Sequence, residues 1–254
     1  MGEAASRDQV ICLIGRHAAR ATLQAMGHAH AHSVDEYLET IYFLAFPIGE
    51  YGPVVKDSPA LAARVAEMLG VSAPTVSEML KRMESDGLIE RGARKEAILT
   101  DQGRVEAERV VRRHRLIEVF LTGYMGYTAA EAHVHADSLG AAFTDDMIAR
   151  MEAQLGAPER CPHGWPIDTA VEQAENLELR PLGEMADGTR ATIVRLAEHD
   201  GALLSWFYDE GLIPGAEVDV ERHEPAVSQM RVRVGDESRT ISDKAAAGLF
   251  VRAA

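Results

Sequence analysis

The sequence predicts an α+β chain of several domains, and three observations carry that prediction. Residues 58–84 read as helix, Gly-x-Ser turn, helix, and two short strands follow around a basic tip. Residues 101–156 hold three further segments with helical periodicity. From Pro181 the pattern changes to short stretches of alternating residues separated by turns. The expected architecture is an N-terminal winged helix-turn-helix, an all-α middle part and a C-terminal small β-barrel.

Composition narrows the function classes. At 254 residues and 46% hydrophobic, the chain has room for two or three cores. Cys12 and Cys161 are far apart and form no Cys-x-x-Cys, which argues against a disulfide framework or a thiolate zinc site and fits a reducing cytoplasm. No apolar run reaches membrane-spanning length, and the short apolar patch near the N-terminus follows acidic residues, unlike a secretory signal. The formal net charge is -14, but it is unevenly placed. Residues 58–115 hold eleven Lys/Arg against nine Asp/Glu, a balance of +2, so the acid lies elsewhere. Salt screens charges beyond roughly 8–10 Å, so a locally basic face can still meet an anionic partner.

Residues 1–33 read as an N-terminal extension. Its alternating His28, His30 and His32 suit either a flexible leader or a metal-capturing tract. Residues 34–46 read as a helix capped by Ser33 or Asp35, with Leu38, Ile41, Tyr42 and Ala45 as its apolar stripe and Glu36 and Glu39 off it. After a Pro/Gly break, Ser58 and Pro59 open a second helix with Leu61, Val65 and Met68 or Leu69 inward, and Gly70 stops it. Ser72 caps the third, whose inward face is Val76, Met79, Leu80 and Met83. Residues 88–91 and 97–100 form the two strands of a wing, with Arg91, Arg94 and Lys95 at its tip. Helices follow at 101–125, after Thr128 and after Thr144. Residues 157–168 read as an irregular end, and acidic residues 172–180 as a linker. Five strands and one helix, around 201–212, then make up the compact barrel. The domains are therefore placed at 34–108, 109–171 and 181–254.

A helix-turn-helix places the N-terminal end of its second helix in the major groove. Ser72, Pro74, Thr75, Ser77 and Glu78 stand there, with groups suited to base edges or phosphates. Lys81, Arg82, Arg91, Arg94 and Lys95 suit backbone phosphates. The alternative use of such a module is protein contact.

The stretches "DEYLETIY", "VSAPTVSEMLKRMESDGLI", "LTDQGR" and "HRLIEVFL" resemble the diphtheria toxin repressor family of iron- and manganese-dependent transcriptional regulators, and "GALLSWFYDEGLIPGAEVDV" resembles its Src-homology-3-like domain of the ferrous-iron-transport-A type. The resemblance covers roughly residues 34–254. It implies a homodimer built on the helices of 109–170 and binding to a palindromic double-stranded operator under control of Mn²⁺ or Fe²⁺, with Zn²⁺, Co²⁺ or Ni²⁺ as surrogates. His114, Glu118 and His133 match the family's ancillary metal site. Glu36 takes the first-helix position of the activating site, Glu39 lies one turn on, and Asp137 takes another ligand position. Gly140 and Ala141 stand where the family has a carboxylate and an imidazole, so the activating site is either rebuilt around Glu36, Glu39, Asp137 and His114, replaced by the ancillary site, or reduced. Asp200 falls at a position from which the C-terminal domain of relatives donates a ligand, with Glu198 and His199 nearby. A metallohydrolase is the competing class, but the sequence has no His-Glu-x-x-His, nucleophile elbow or phosphate loop. A metal-independent winged-helix repressor and an interaction scaffold are the others.

Overall fold

The computed structural model describes residues 32–45, 61–93, 95–197 and 201–254. The expectations for His28, His30, Ser58, Pro59, Arg94 and Asp200 lie outside them. Helix α1 (Val34–Ala45) buries Tyr37, Leu38, Ile41, Tyr42, Phe43 and Leu44. It packs with α2 (Leu61–Leu69) and α3 (Ala73–Ser85) into the first core, which holds Val65, Val76, Leu80 and Met83. Strands β1 (Ile89–Arg91) and β2 (Ala97–Leu99) pair antiparallel as the wing. The helix-turn-helix and wing thus follow the sequence pattern to within a residue or two.

The long helix α4 (Asp101–Met125) is capped by Thr100, whose hydroxyl accepts from the Gly103 N–H and donates to the Gly87 carbonyl. Gly103 is required here, because a Cβ at that position would lie 1.8 Å from the Leu88 carbonyl oxygen. The start of α4 is thereby pressed onto the wing. Its Ala107 and Val111 belong to the first core, and its Leu116, Ile117 and Leu121 to a second. One rigid helix therefore runs through both. Helices α5 (Ala129–Gly140) and α6 (Asp145–Leu155) complete the second core, and Thr128 caps α5 with a full capping box through Glu131.

The acidic stretch expected as a linker contains the end of a short helix, α7 (Thr169–Glu175), with Glu172 and Glu175 buried. Arg115 of α4 donates to Glu172 at 2.6 Å, and Arg195 donates to Glu175 at 2.7 Å and to the Asn176 side-chain oxygen at 2.7 Å. Arg160 also pairs with Glu175. The acids there are the counter-charges of buried guanidinium groups.

The C-terminal part consists of β3 (Arg180–Pro181), β4 (Arg190–Leu196), helix α8 (Gly201–Asp209), β5 (Glu217–Glu224), β6 (Gln229–Val234), β7 (Glu237–Ser242), helix α9 (Asp243–Ala247) and β8 (Leu249–Ala253). The strand order is β3-β8-β4-β5-β6-β7, antiparallel throughout. This corrects the expected barrel: the sheet is curled but open. Its last strand β7 is followed by α9, which packs against β6, β7, β8 and the turn after β3, and so covers the gap that a closing strand pair would fill. Among the described residues no helix is long and apolar enough to cross a membrane.

Burial pushes the Glu175 carboxyl up, but Arg160 and Arg195 outweigh it and hold the group below the ordinary carboxylate range. Its contribution is thus fully present above the ordinary carboxylate pKa and is lost as pH falls through the lowered folded value. Glu175→Gln is expected to cost about 2 kcal/mol near neutral pH and to flatten the acid side of a urea-midpoint-against-pH profile.

Candidate metal centre and nucleic-acid face

Helices α4 and α5 bring three donor groups to one point. Glu118 lies one turn beyond His114 on α4, and His133 faces them from α5. Ala132 and Ala136 are fully buried at this contact, which lets the helices approach closely. His114 Nε2 is 2.9 Å from Glu118 Oε1 and 3.1 Å from His133 Nδ1, and His133 Nδ1 is 2.9 Å from the same oxygen. Bonds of about 2.1 Å from one ion, set at right angles, put neighbouring donor atoms about 3 Å apart. The triangle therefore has the dimensions of one face of a six-coordinate ion. Glu118 is wholly buried, and its Oε2 has no hydrogen-bond partner. A buried carboxylate with an unsatisfied oxygen, beside two imidazoles, fits a divalent cation of the manganese, iron or zinc type.

Two more donors arrive from the segment after α6. His163 Nδ1 lies 3.3 Å from Glu118 Oε1, and Cys161 Sγ lies 3.8 Å from His163 Nδ1. Both are buried, and Glu118, Cys161 and His163 form a second compact donor group. The sequence reading passed over this pair. Its only local signal is Cys-x-His, which is short and common, and the argument against a thiolate zinc site addressed paired cysteines rather than a single thiol among histidines.

A third group shares His114. Its Nδ1 lies 3.1 Å from Asp137 Oδ1 and 3.4 Å from Glu39 Oε1, so α1 reaches the same imidazole from the other side. Glu39 and Asp137 are thus brought together with His114, whereas Glu36, one turn earlier on α1, belongs to none of the donor groups among the described residues. Burial pushes the His114 imidazole down, but the carboxylates of Glu39 and Glu118 and the bond to Asp137 outweigh it and raise it well above its ordinary value. Burial pushes Glu118 up, and the neighbouring His163 and His114 pull it well below the carboxylate range. At Gly140 the backbone carbonyl accepts from Arg113 at 3.1 Å, and the same guanidinium donates to Asp145 at 2.7 Å and lies 3.9 Å from Asp35 of α1. A protein cation therefore spans α1, α5 and α6 beside the position where the resemblance leads one to expect ligands.

The face of α3 is laid out as the sequence pattern requires. Ser72, Pro74, Thr75, Ser77, Glu78, Lys81 and Arg82 are all exposed, while Val76, Leu80 and Met83 are buried. Ser72 accepts from the Thr75 N–H, and the two hydroxyls are 2.8 Å apart. Arg82 lies 3.7 Å from Asp86. In the wing, Lys95 is exposed with φ 63, and Arg91 is half-buried, donating to the Lys95 carbonyl and lying 3.8 Å from Glu84.

A winged helix-turn-helix whose first helix touches a buried histidine–carboxylate cluster defines the class: a metal-dependent DNA-binding transcription regulator. Residues 31–97 match the N-terminal DNA-binding domain of iron-dependent repressors, residues 100–169 their metal-binding and dimerisation domain, and residues 180–253 the FeoA domain. The chain is 33% identical over 221 residues to the iron-dependent repressor IdeR of Mycobacterium leprae (strain TN), covering 82% of this chain and 92% of that one. It is 34% identical over 202 residues to the diphtheria toxin repressor of Corynebacterium glutamicum, covering 74% and 83%. Among solved structures it superposes on a manganese-dependent transcriptional repressor in complex with manganese with a TM-score of 0.73 and 30% identity, over 87% of this chain and all of that one. The chain belongs to the iron-dependent repressor family.

Ser72→Ala removes the cap of α3 and is expected to lower stability by about 1 kcal/mol, read as a fall in the thermal midpoint of the full chain.

Proposed function

We propose that the chain is a cytoplasmic, homodimeric repressor of metal-homeostasis genes that binds a palindromic double-stranded operator when loaded with Mn²⁺ or Fe²⁺. The observation that carries this reading is the donor triangle of His114, Glu118 and His133, with Glu118 Oε2 unsatisfied, next to an exposed recognition helix. His114, Glu118 and His133 are the ligands at the ancillary position, Cys161 and His163 complete that set, and Glu39 and Asp137, at the far nitrogen of His114, are the candidate ligands of a rebuilt activating site. Glu36 and Asp200 are retained as candidate ligands from the resemblance alone. A bound cation supplies positive charge that neutralises the buried carboxylates.

The residues of the chain do the rest. His114 contacts the triangle through Nε2 and the Glu39 carboxylate of α1 through Nδ1. Fixing the ring on one side therefore fixes the helix that packs behind α3 on the other. Two such modules in a homodimer are held at a set spacing, which lets both recognition helices enter successive major grooves. Ser72, Pro74, Thr75, Ser77 and Glu78 address base edges. Lys81, Arg82, Arg91, Arg94 and Lys95 address the phosphates. Only the difference in cation affinity between the DNA-competent and free arrangements drives the response. The division into 34–108, 109–171 and 181–254 is retained as the functional one.

A second reading is favoured by Arg113 alone. Its contacts with Gly140, Asp145 and Asp35 tether α1 without any metal, and a repressor tethered in this way binds DNA constitutively.

Mobility-shift titrations on family-type operator fragments separate the two. The metal-dependent reading expects the shift to weaken by tenfold or more when a chelator is added; an unchanged shift overturns it in favour of the Arg113 tether. Calorimetry on metal-stripped protein is expected to show divalent-metal binding in wild type and its loss in His114→Ala. Lys81→Ala is expected to weaken DNA binding at low salt and to reduce the salt slope by about 1.

A further inference from the structure

The exposed side of α3 carries Glu78 and Arg82, and Asp86 follows just past its end, each four residues from the next. Arg82 has a carboxylate within reach on either side, and a glutamate four residues before an arginine is the favourable order on a helix. It lies instead 3.7 Å from Asp86. The wing residue Arg91 likewise has its carboxylate neighbour, Glu84, at 3.8 Å. Among the described residues Glu78 enters no hydrogen bond or ion pair. It stands in the second turn of α3, one turn beyond Pro74 and Thr75 on the same exposed stripe. The side of the helix that faces bases therefore presents a carboxylate with no cationic partner among the described residues.

A carboxylate in the major groove is repelled by the phosphates on both sides and gains only where a base edge donates to it. The bases differ sharply in that respect. Guanine offers the acceptors N7 and O6, and thymine offers O4 and a methyl group. Adenine offers the donor N6 beside the acceptor N7, so attraction and repulsion meet at one edge. Cytosine offers the donor N4. A hydroxyl such as that of Ser72 or Thr75 both donates and accepts, whereas a carboxylate only accepts. We infer that Glu78 is the residue that sets base preference: it selects cytosine at one position of each half-site, mainly by weakening attachment to the other three bases. This deepens the reading of α3 as the recognition helix and rests on it. The repulsion acts on DNA of any sequence, and the compensating bond forms at one base. Specificity is a difference of affinities, so Glu78 sharpens the choice of site without adding strength to binding.

The test selects duplexes from a library with a randomised core, using the full-length chain in the presence of Mn²⁺. Wild type is expected to enrich cytosine at two symmetry-related positions. Glu78→Gln is expected to replace it there by adenine, whose N6 and N7 match the side-chain amide, and Glu78→Ala to enrich no base at those positions. Both changes lie on the exposed side of α3 and leave its buried Val76, Leu80 and Met83 in place. Titrations against the duplex selected by wild type and against a scrambled duplex give a second readout. Glu78→Gln is expected to bind the selected duplex about tenfold more weakly than wild type and the scrambled duplex more tightly, and a merely structural role would move both in the same direction. The same enriched bases in all three proteins, or equal weakening on both duplexes, overturn the inference while the recognition-helix reading stands. A wild type that binds the library without enriching any sequence removes α3 as a reader of bases and overturns the reading and the inference together.

Discussion

The buried carboxylate of Glu118 is the constraint on which the rest of the structure turns. Taking such a charge out of water costs several kcal/mol unless it is compensated, and α4 places it wholly inside the helical core. Three imidazole nitrogens lie within 3.3 Å of its Oε1, each from a different part of the chain: His114 from α4 itself, His133 from α5 and His163 from the segment after α6. The packing of those three parts is therefore dictated by one charge. The alanines at the α4–α5 contact are needed because a larger side chain would hold His133 away from it. The carboxylates of Glu39, Glu118 and Asp137 surround the His114 imidazole and raise it well above its ordinary value despite its burial.

Coupling to the DNA-facing module follows from how few elements intervene. Helix α4 belongs to both cores, and its first turn is pressed onto the wing through Gly103. Its His114 touches Glu39 on α1, two residues from Ile41, which is fully buried in the first core. A change in the order of the His114 ring is thus felt at α1 with no intermediate side chain. This is a physical contact between two packed elements rather than a path inferred from proximity, and the sign of its effect depends on which arrangement of α1 the loaded ring prefers.

Local signals made most of the fold legible. Ser72, Thr128 and Thr144 each cap a helix where the sequence places a hydroxyl before a periodic run, whereas at α4 the sequence points to Asp101 as the cap and Thr100 holds that place. His114, Glu118 and His133 were legible because i, i+4 spacing and a neighbouring antiparallel helix suffice to bring them together. Cys161 and His163 were not, because their position depends on an irregular segment shaped by a strand some thirty residues further on. The open sheet was missed for a related reason. Alternation identifies strands but says nothing about which edges meet, and the five-residue α9 that covers the gap is too short to show a period. The linker reading of 172–180 failed to anticipate burial because the partners of Glu172 and Glu175, Arg115 and Arg195, are remote in sequence.

Trp165 explains why those remote partners are needed. It is fully buried with Arg195 4.8 Å and Arg115 5.3 Å from its ring centroid, and with Phe43 of α1 and Phe250 of β8 against its edges. One indole therefore meets the DNA-facing module, the helical core and the C-terminal sheet. Two guanidinium groups this close to each other and to an apolar ring would repel and be poorly solvated without compensation, and Glu172 and Glu175 on α7 supply it. A desolvated cation–π contact is worth about 2 kcal/mol, enough to favour one arrangement of three bodies over looser ones. The indole also sits two residues from His163. Any motion that undocks the sheet must break the Trp165–Leu196 bond and release the His163 carbonyl in the same event. The charge buried at Glu118 and the ring buried at position 165 are consequently two ends of one packing problem, solved by the same short segment.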